Sequence, residues 1–110
     1  MMNLEQAAHC MAELGHETRL AVYRHLVVAG EGGMPVGEIQ KKLKIPASTL
    51  SHHLSHLMRV GLVEQKREGR TLRCIAQFSK LQGIVDFLVD ECCEGKSCIS
   101  SNPCCQSETD

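Results

Sequence analysis

Apolar residues recur at helical spacing through the first half of the chain. Leu4, Ala7, Ala8, Met11 and Leu14 fall on one stripe, so Leu4 to Leu14 reads as a helix that Gly15 ends. Thr18 to Ala29 reads as a second helix, with Leu20, Ala21, Tyr23, Leu26 and Val27 as its apolar positions, and Gly30-Glu31-Gly32-Gly33 is a loop. Pro35 suits the start of a third helix, where its missing N–H is no loss. That helix runs to Leu43 with Val36, Ile39 and Leu43 inward, and Lys44-Ile45-Pro46 forms a short turn. A fourth helix opens at Ala47 or Ser48 and carries Leu50, Leu54, Leu57 and Met58 on one face. Gly61 sits just past its end, the C′ position that favours glycine.

The period then changes. Leu62 to Arg67 and Thr71 to Gln77 read as two short strands, and Glu68-Gly69 is the turn between them, with glycine supplying a positive φ. A last helix runs from Ser79, its expected N-cap, to Cys92, with Leu81, Ile84, Val85, Leu88 and Val89 as its stripe. Periodicity ends after Gly95. The expected fold is mainly α with a small β-hairpin, a homodimeric winged helix-turn-helix. Residues 1–95 form its DNA-binding and dimerisation domain, and residues 96–110 a flexible, cysteine-rich tail.

Size and composition sharpen this. A chain of 110 residues makes one domain and buries a modest core, so a second copy is expected to complete it. Aromatic residues are only 3 %, which leaves the core to aliphatic side chains and favours packed helices over a β-sandwich. No apolar run is long enough to cross a membrane, and the first ten residues lack the basic and apolar regions of a signal peptide. A cytoplasmic protein with no membrane partner is therefore expected. The net charge of −1 hides an asymmetry: residues 38–76 carry +5, while residues 1–37 carry −2 and residues 77–110 carry −4. A basic centre between acidic flanks points to a polyanionic partner for the centre alone.

That centre holds a recognisable constellation. Opposite its leucines, the fourth helix presents Ser48, Thr49, Ser51, His52, Ser55 and His56, short donors and acceptors suited to phosphates and base edges of double-stranded DNA. The hairpin carries Lys66, Arg67, Arg70 and Arg73, a basic wing able to follow a phosphate backbone. His53 falls on the leucine side, where one ring nitrogen needs a hydrogen-bond partner. No paired carboxylates or Ser-His-Asp set can be placed in one cleft, so an enzyme is not expected.

LGHETRLAVYRHL at 14–26, STLSHHLSHLMRVGLV at 48–63 and REGRTLRC at 67–74 together resemble the ArsR/SmtB family of bacterial metal-responsive winged-helix repressors. The likeness covers residues 4–92. It implies a homodimer held by the first and last helices, an operator of twofold character, and release of DNA when an inducer binds. It also implies that the fourth helix reads DNA, which sets His52, His53 and His56 apart from metal ligation.

Seven cysteines remain. Cys10 and Cys74 stand alone and are readable as small buried residues. Cys92, Cys93, Cys98, Cys104 and Cys105 crowd into the last 19 residues. An odd number in a reducing compartment argues against a disulfide framework. Three thiolates around Gly95 can converge on one soft centre, provided the helix frays at Cys92-Cys93. Trivalent arsenic or antimony takes three sulfurs in a pyramid, whereas zinc or cadmium would recruit Cys104 or Cys105 as a fourth ligand. The resemblance adds that one arsenic-responsive branch uses a pattern like Cys92, Cys93 and Cys98. Another branch, linked to methylated arsenic, uses one like Cys74 with Cys92 and Cys93. The third-helix cysteines of some relatives and the last-helix histidine of the zinc sensors are absent. The expected inducer is therefore arsenite, methylarsenite or antimonite, with no resident cofactor. The alternative is a redox or persulfide sensor of the same fold, pairing Cys10 with a C-terminal cysteine.

Overall fold

The computed structural model describes residues 2–90. In chain order the elements are α1 (Leu4–Leu14), α2 (Glu17–Ala29), a 3-10 turn (Gly30–Gly32), β1 (Met34–Pro35), α3 (Val36–Leu43), α4 (Ala47–Arg59), β2 (Val63–Glu68), β3 (Thr71–Ala76) and α5 (Phe78–Val89). The expected winged helix-turn-helix is what the chain forms, with α3 and α4 as the helix pair and β2–β3 as the wing. Cys92, Cys93, Cys98 and the tail at 96–110 lie outside the described residues. Among the described residues no helix is long and apolar enough to cross a membrane.

Helix ends follow local chemistry. Asn3 caps α1 in a capping box: its side chain accepts from the Gln6 N–H at 2.8 Å, and the Gln6 side chain accepts from the Asn3 N–H at 3.0 Å. His16 caps α2, its Nδ1 accepting from the Thr18 N–H at 3.2 Å, so α2 starts one residue before the expected Thr18. At the end of α4 the Gly61 N–H donates to the Met58 carbonyl and the Leu62 N–H to the Leu57 carbonyl, with Gly61 at φ 81°. This is a Schellman close, and it turns the chain sharply into the wing. α5 begins at Phe78, with Gln77 rather than the expected Ser79 at its N-cap, and Asp90 takes ψ 127° after Val89; the expected helix end at Cys92 lies outside the described residues.

The sheet has three antiparallel strands in the order β1-β3-β2. β1 was not expected: Met34 pairs with Cys74 and Pro35 with Arg73. Two residues carry no readable period, so only the pairing reveals them. The hairpin turn is Gly69-Arg70 rather than Glu68-Gly69, since Glu68 pairs with Thr71. Gly69, at φ 63°, takes the first central position of a two-residue loop, where glycine avoids strain. Gly33 is also obligatory. Its φ is 73°, and a Cβ there would lie 2.4 Å from the Cys74 carbonyl oxygen.

The core gathers Val22, Tyr23 and Leu26 of α2, Ile39 of α3, and Leu50, Leu54 and Leu57 of α4 against Leu62, Val63, Cys74 and Ala76. α3 and α4 thus bury the faces their patterns indicate. α2 differs. Leu20 is 45 % exposed, while Arg19 and Val22 turn inward. The helix is rotated because Arg19 finds partners inside, described below. α1 and α5 bury little of their stripes. Leu4, Met11, Val85 and Leu88 are exposed, although each lies on the apolar face of its helix.

Candidate nucleic-acid interface

Packing the leucines of α4 against the core sends its other face outward. Ser48, Ser51, His52 and Ser55 are exposed, and Thr49 and His56 are half-buried. The Ser55 hydroxyl donates to the His52 carbonyl at 2.7 Å. The His52 and His56 rings meet edge to face, their centroids 4.5 Å apart. The six α4 positions singled out from sequence therefore lie along one side of one helix, over a buried aliphatic base.

This helix is anchored by a polar network that reaches His53 on its buried side and half-buried His56 on the other. Glu13, near the end of α1, accepts from Arg19 at 2.8 Å and meets His56 Nδ1 at 3.0 Å through the same carboxylate oxygen. Arg19 also donates to the Glu13 carbonyl at 3.2 Å, and its Nε donates to His53 Nδ1 at 3.4 Å. The inward nitrogen of His53 thus has its partner. Burial holds the His53 pKa below the ordinary value, and the charges of Arg19, His16, His52 and His56 push the same way. A neutral imidazole is required here, because only an unprotonated Nδ1 can accept from Arg19. Glu13 and Arg19 were not legible as parts of this site, since they meet α4 across dozens of intervening residues.

On the wing, Lys66, Arg67 and Arg70 are exposed and have no acidic partner among the described residues. Arg73 is placed differently. Its Nε pairs with Glu68 at 3.0 Å, and it donates to the Gly32 carbonyl at 3.2 Å. It ties the wing to the loop ahead of β1. Arg67 and Arg70 lie toward the hairpin tip, while Lys66 stands directly opposite Arg73 in the strand pair.

The two described cysteines are both free thiols and both buried. Cys74 is fully covered, accepts from the Gln65 amide at 3.6 Å, and has its pKa raised by burial. Cys10 is 1 % exposed, points its sulfur at the Val60 carbonyl, and is likewise raised by burial. Both are poor nucleophiles as they stand. Among the described residues, no three His, Cys, Asp or Glu side chains converge on a point that could hold a metal ion.

A helix-turn-helix domain family matches residues 14–66. A helix-turn-helix transcriptional regulator of Methanocaldococcus jannaschii is 38 % identical over 69 residues, which span 63 % of this chain and 75 % of that protein. A candidate arsenical resistance operon repressor of Halobacterium salinarum is 36 % identical over 67 residues, 61 % of this chain and 51 % of that one. Among solved structures, the homodimeric winged helix-turn-helix DNA-binding domain of a possible ArsR-family regulator from Mycobacterium bovis superposes with a TM-score of 0.62 at 26 % identity. That match covers 88 % of this chain and 90 % of the other.

Proposed function

This chain belongs to the ArsR/SmtB family of winged-helix transcriptional regulators, and from that premise we propose that it is a cytoplasmic homodimeric repressor released from its operator by trivalent arsenic. The observation that carries the DNA half is the pairing of an outward polar face on α4 with three wing cations that have no acidic partner among the described residues. Ser48, Thr49, Ser51, His52, Ser55 and His56 enter a major groove. Lys66, Arg67 and Arg70 hold the flanking phosphates, and Arg73 sets the wing's position.

The dimer is supported by the exposed apolar residues of α1 and α5. Leu4, Met11, Val85 and Leu88 make a face that one copy leaves in water and a second copy would cover. Two-fold pairing sets two α4 helices about one turn of DNA apart.

For the inducer, the chemistry of the sequence supports Cys92, Cys93 and Cys98 as the three sulfurs. The burial of Cys74 favours Cys98 over Cys74 as the third. Arsenite, methylarsenite and antimonite all suit a pure thiolate set. The name carried by the Halobacterium relative points the same way. Ligand binding at the end of α5 acts on a helix of the dimer face. A coupling of about 1–3 kcal/mol there lowers operator affinity roughly 5- to 150-fold.

The test is fluorescence anisotropy on a labelled operator duplex selected from random sequence. Near-stoichiometric arsenite should release the reduced protein, and the Cys92→Ser, Cys93→Ser double variant should stay bound. Normal release of that variant would overturn the arsenic reading. Release by peroxide alone would establish the redox alternative instead, although the burial of Cys10 argues against it.

A further inference from the structure

Where α1, the end of α4 and the start of α5 meet, Gln6, His9, Cys10, Arg59, Val60 and Lys80 line a cavity of about 220 Å³. A second cavity of about 300 Å³ shares Gln6 and Lys80 and continues along α5 past Ser79 and Gly83. No carboxylate lines either space. Arg59 and Lys80 have no acidic partner among the described residues. Two cations and an imidazole therefore face one groove with nothing of opposite sign between them, an arrangement that costs free energy unless an anion relieves it.

Lys80 also lies along the turn at Gly61. It is half-buried, and its Cε rests over Gly61, close enough that a Cβ there would lie 3.3 Å away. We propose that this groove binds a small oxyanion of the phosphate or carboxylate class, with Arg59 and Lys80 as its charged donors. The Gln6 amide and His9 supply further hydrogen bonds.

The position gives the site a consequence. Arg59 and Val60 close the DNA-facing helix, while Gln6, His9 and Lys80 belong to the two helices of the exposed apolar face. An anion here braces all three helices against one another. Any change it makes in DNA affinity is matched by an equal effect of DNA on its own binding. The proposal is separate from the arsenic reading, because it uses none of the C-terminal cysteines.

Amide NMR on the full chain tests it, with inorganic phosphate titrated at constant ionic strength against chloride. Saturable shifts are expected at Gln6, His9, Gly61 and Lys80. Arg59→Gln and Lys80→Gln should each weaken phosphate binding about tenfold while keeping the rest of the spectrum, as loss of one charge-assisted hydrogen bond implies. Shifts that do not saturate, or variants that bind phosphate as well as the parent, would overturn the proposal. So would a third result, in which operator DNA displaces phosphate and Arg59→Gln lowers the salt dependence of DNA binding by about one charge. That outcome would assign these cations to the DNA backbone.

Discussion

Tyr23 and His53 are both buried, and they solve the problem of a hidden polar atom in opposite ways. The Tyr23 hydroxyl has no hydrogen-bond partner among the described residues, and its pKa is pushed up to about 12 by burial and then by neighbouring Cys10. Tyr23→Phe removes an unsatisfied group and keeps the ring. It should leave stability unchanged or raise it by up to about 1 kcal/mol in urea melts; a loss larger than that would reveal a partner for the hydroxyl. His53 instead accepts from Arg19, and this sets a pH dependence. Unfolded, the imidazole titrates near 6.5; folded, it titrates lower. The folded state resists the proton, so the contribution is fully present above that value and lost as pH falls through the folded pKa. The melting temperature should drop between about pH 7 and about pH 5, and more steeply in the parent than in His53→Gln. Parallel curves would rule this role out. The inward turn of His53 was legible from its place among leucines. Its donor was not, because nothing in local spacing ties residue 53 to residue 19.

Helices were readable where a single face decides them. α1 has the bounds its stripe implies, and α4 buries Leu50, Leu54 and Leu57 as its pattern indicates. α2 misled because Arg19 turns inward to bond Glu13, six residues back, and His53, 34 residues on, while Leu20 is left exposed. The wing was readable as a hairpin, yet not its third strand, nor the engagement of Arg73. That engagement separates the four basic positions. Lys66→Ala, Arg67→Ala and Arg70→Ala should each weaken DNA binding evenly across sequences and lower the slope of log affinity against log salt by about one. Arg73→Ala should leave that slope in place, since its guanidinium is held by Glu68 and Gly32. Equal slope changes in all four variants would show that Arg73 exchanges its partners for phosphate.

For the whole molecule, the unburied stripes of α1 and α5 are the feature that one copy alone leaves unexplained. Leu88 is 58 % exposed and Leu4 74 %. Leu88→Glu should yield a folded monomer in sedimentation velocity, with operator affinity falling as two half-sites become one; a dimer of unchanged affinity would place the contact elsewhere. The proposed inducer site rests on sequence chemistry alone, a set of soft ligands at a given spacing, because its residues lie outside those described. Cys74 offers something else. It sits on the central strand, flanked by Met34 on one side and Gln65 on the other. That sulfur faces the core, so a thiol reagent reaches it only when the packing beneath the sheet opens, and its labelling rate measures how often that happens. Site-resolved mass spectrometry can follow it with and without DNA. The protein thus carries its own native clock for opening of the core beneath the wing.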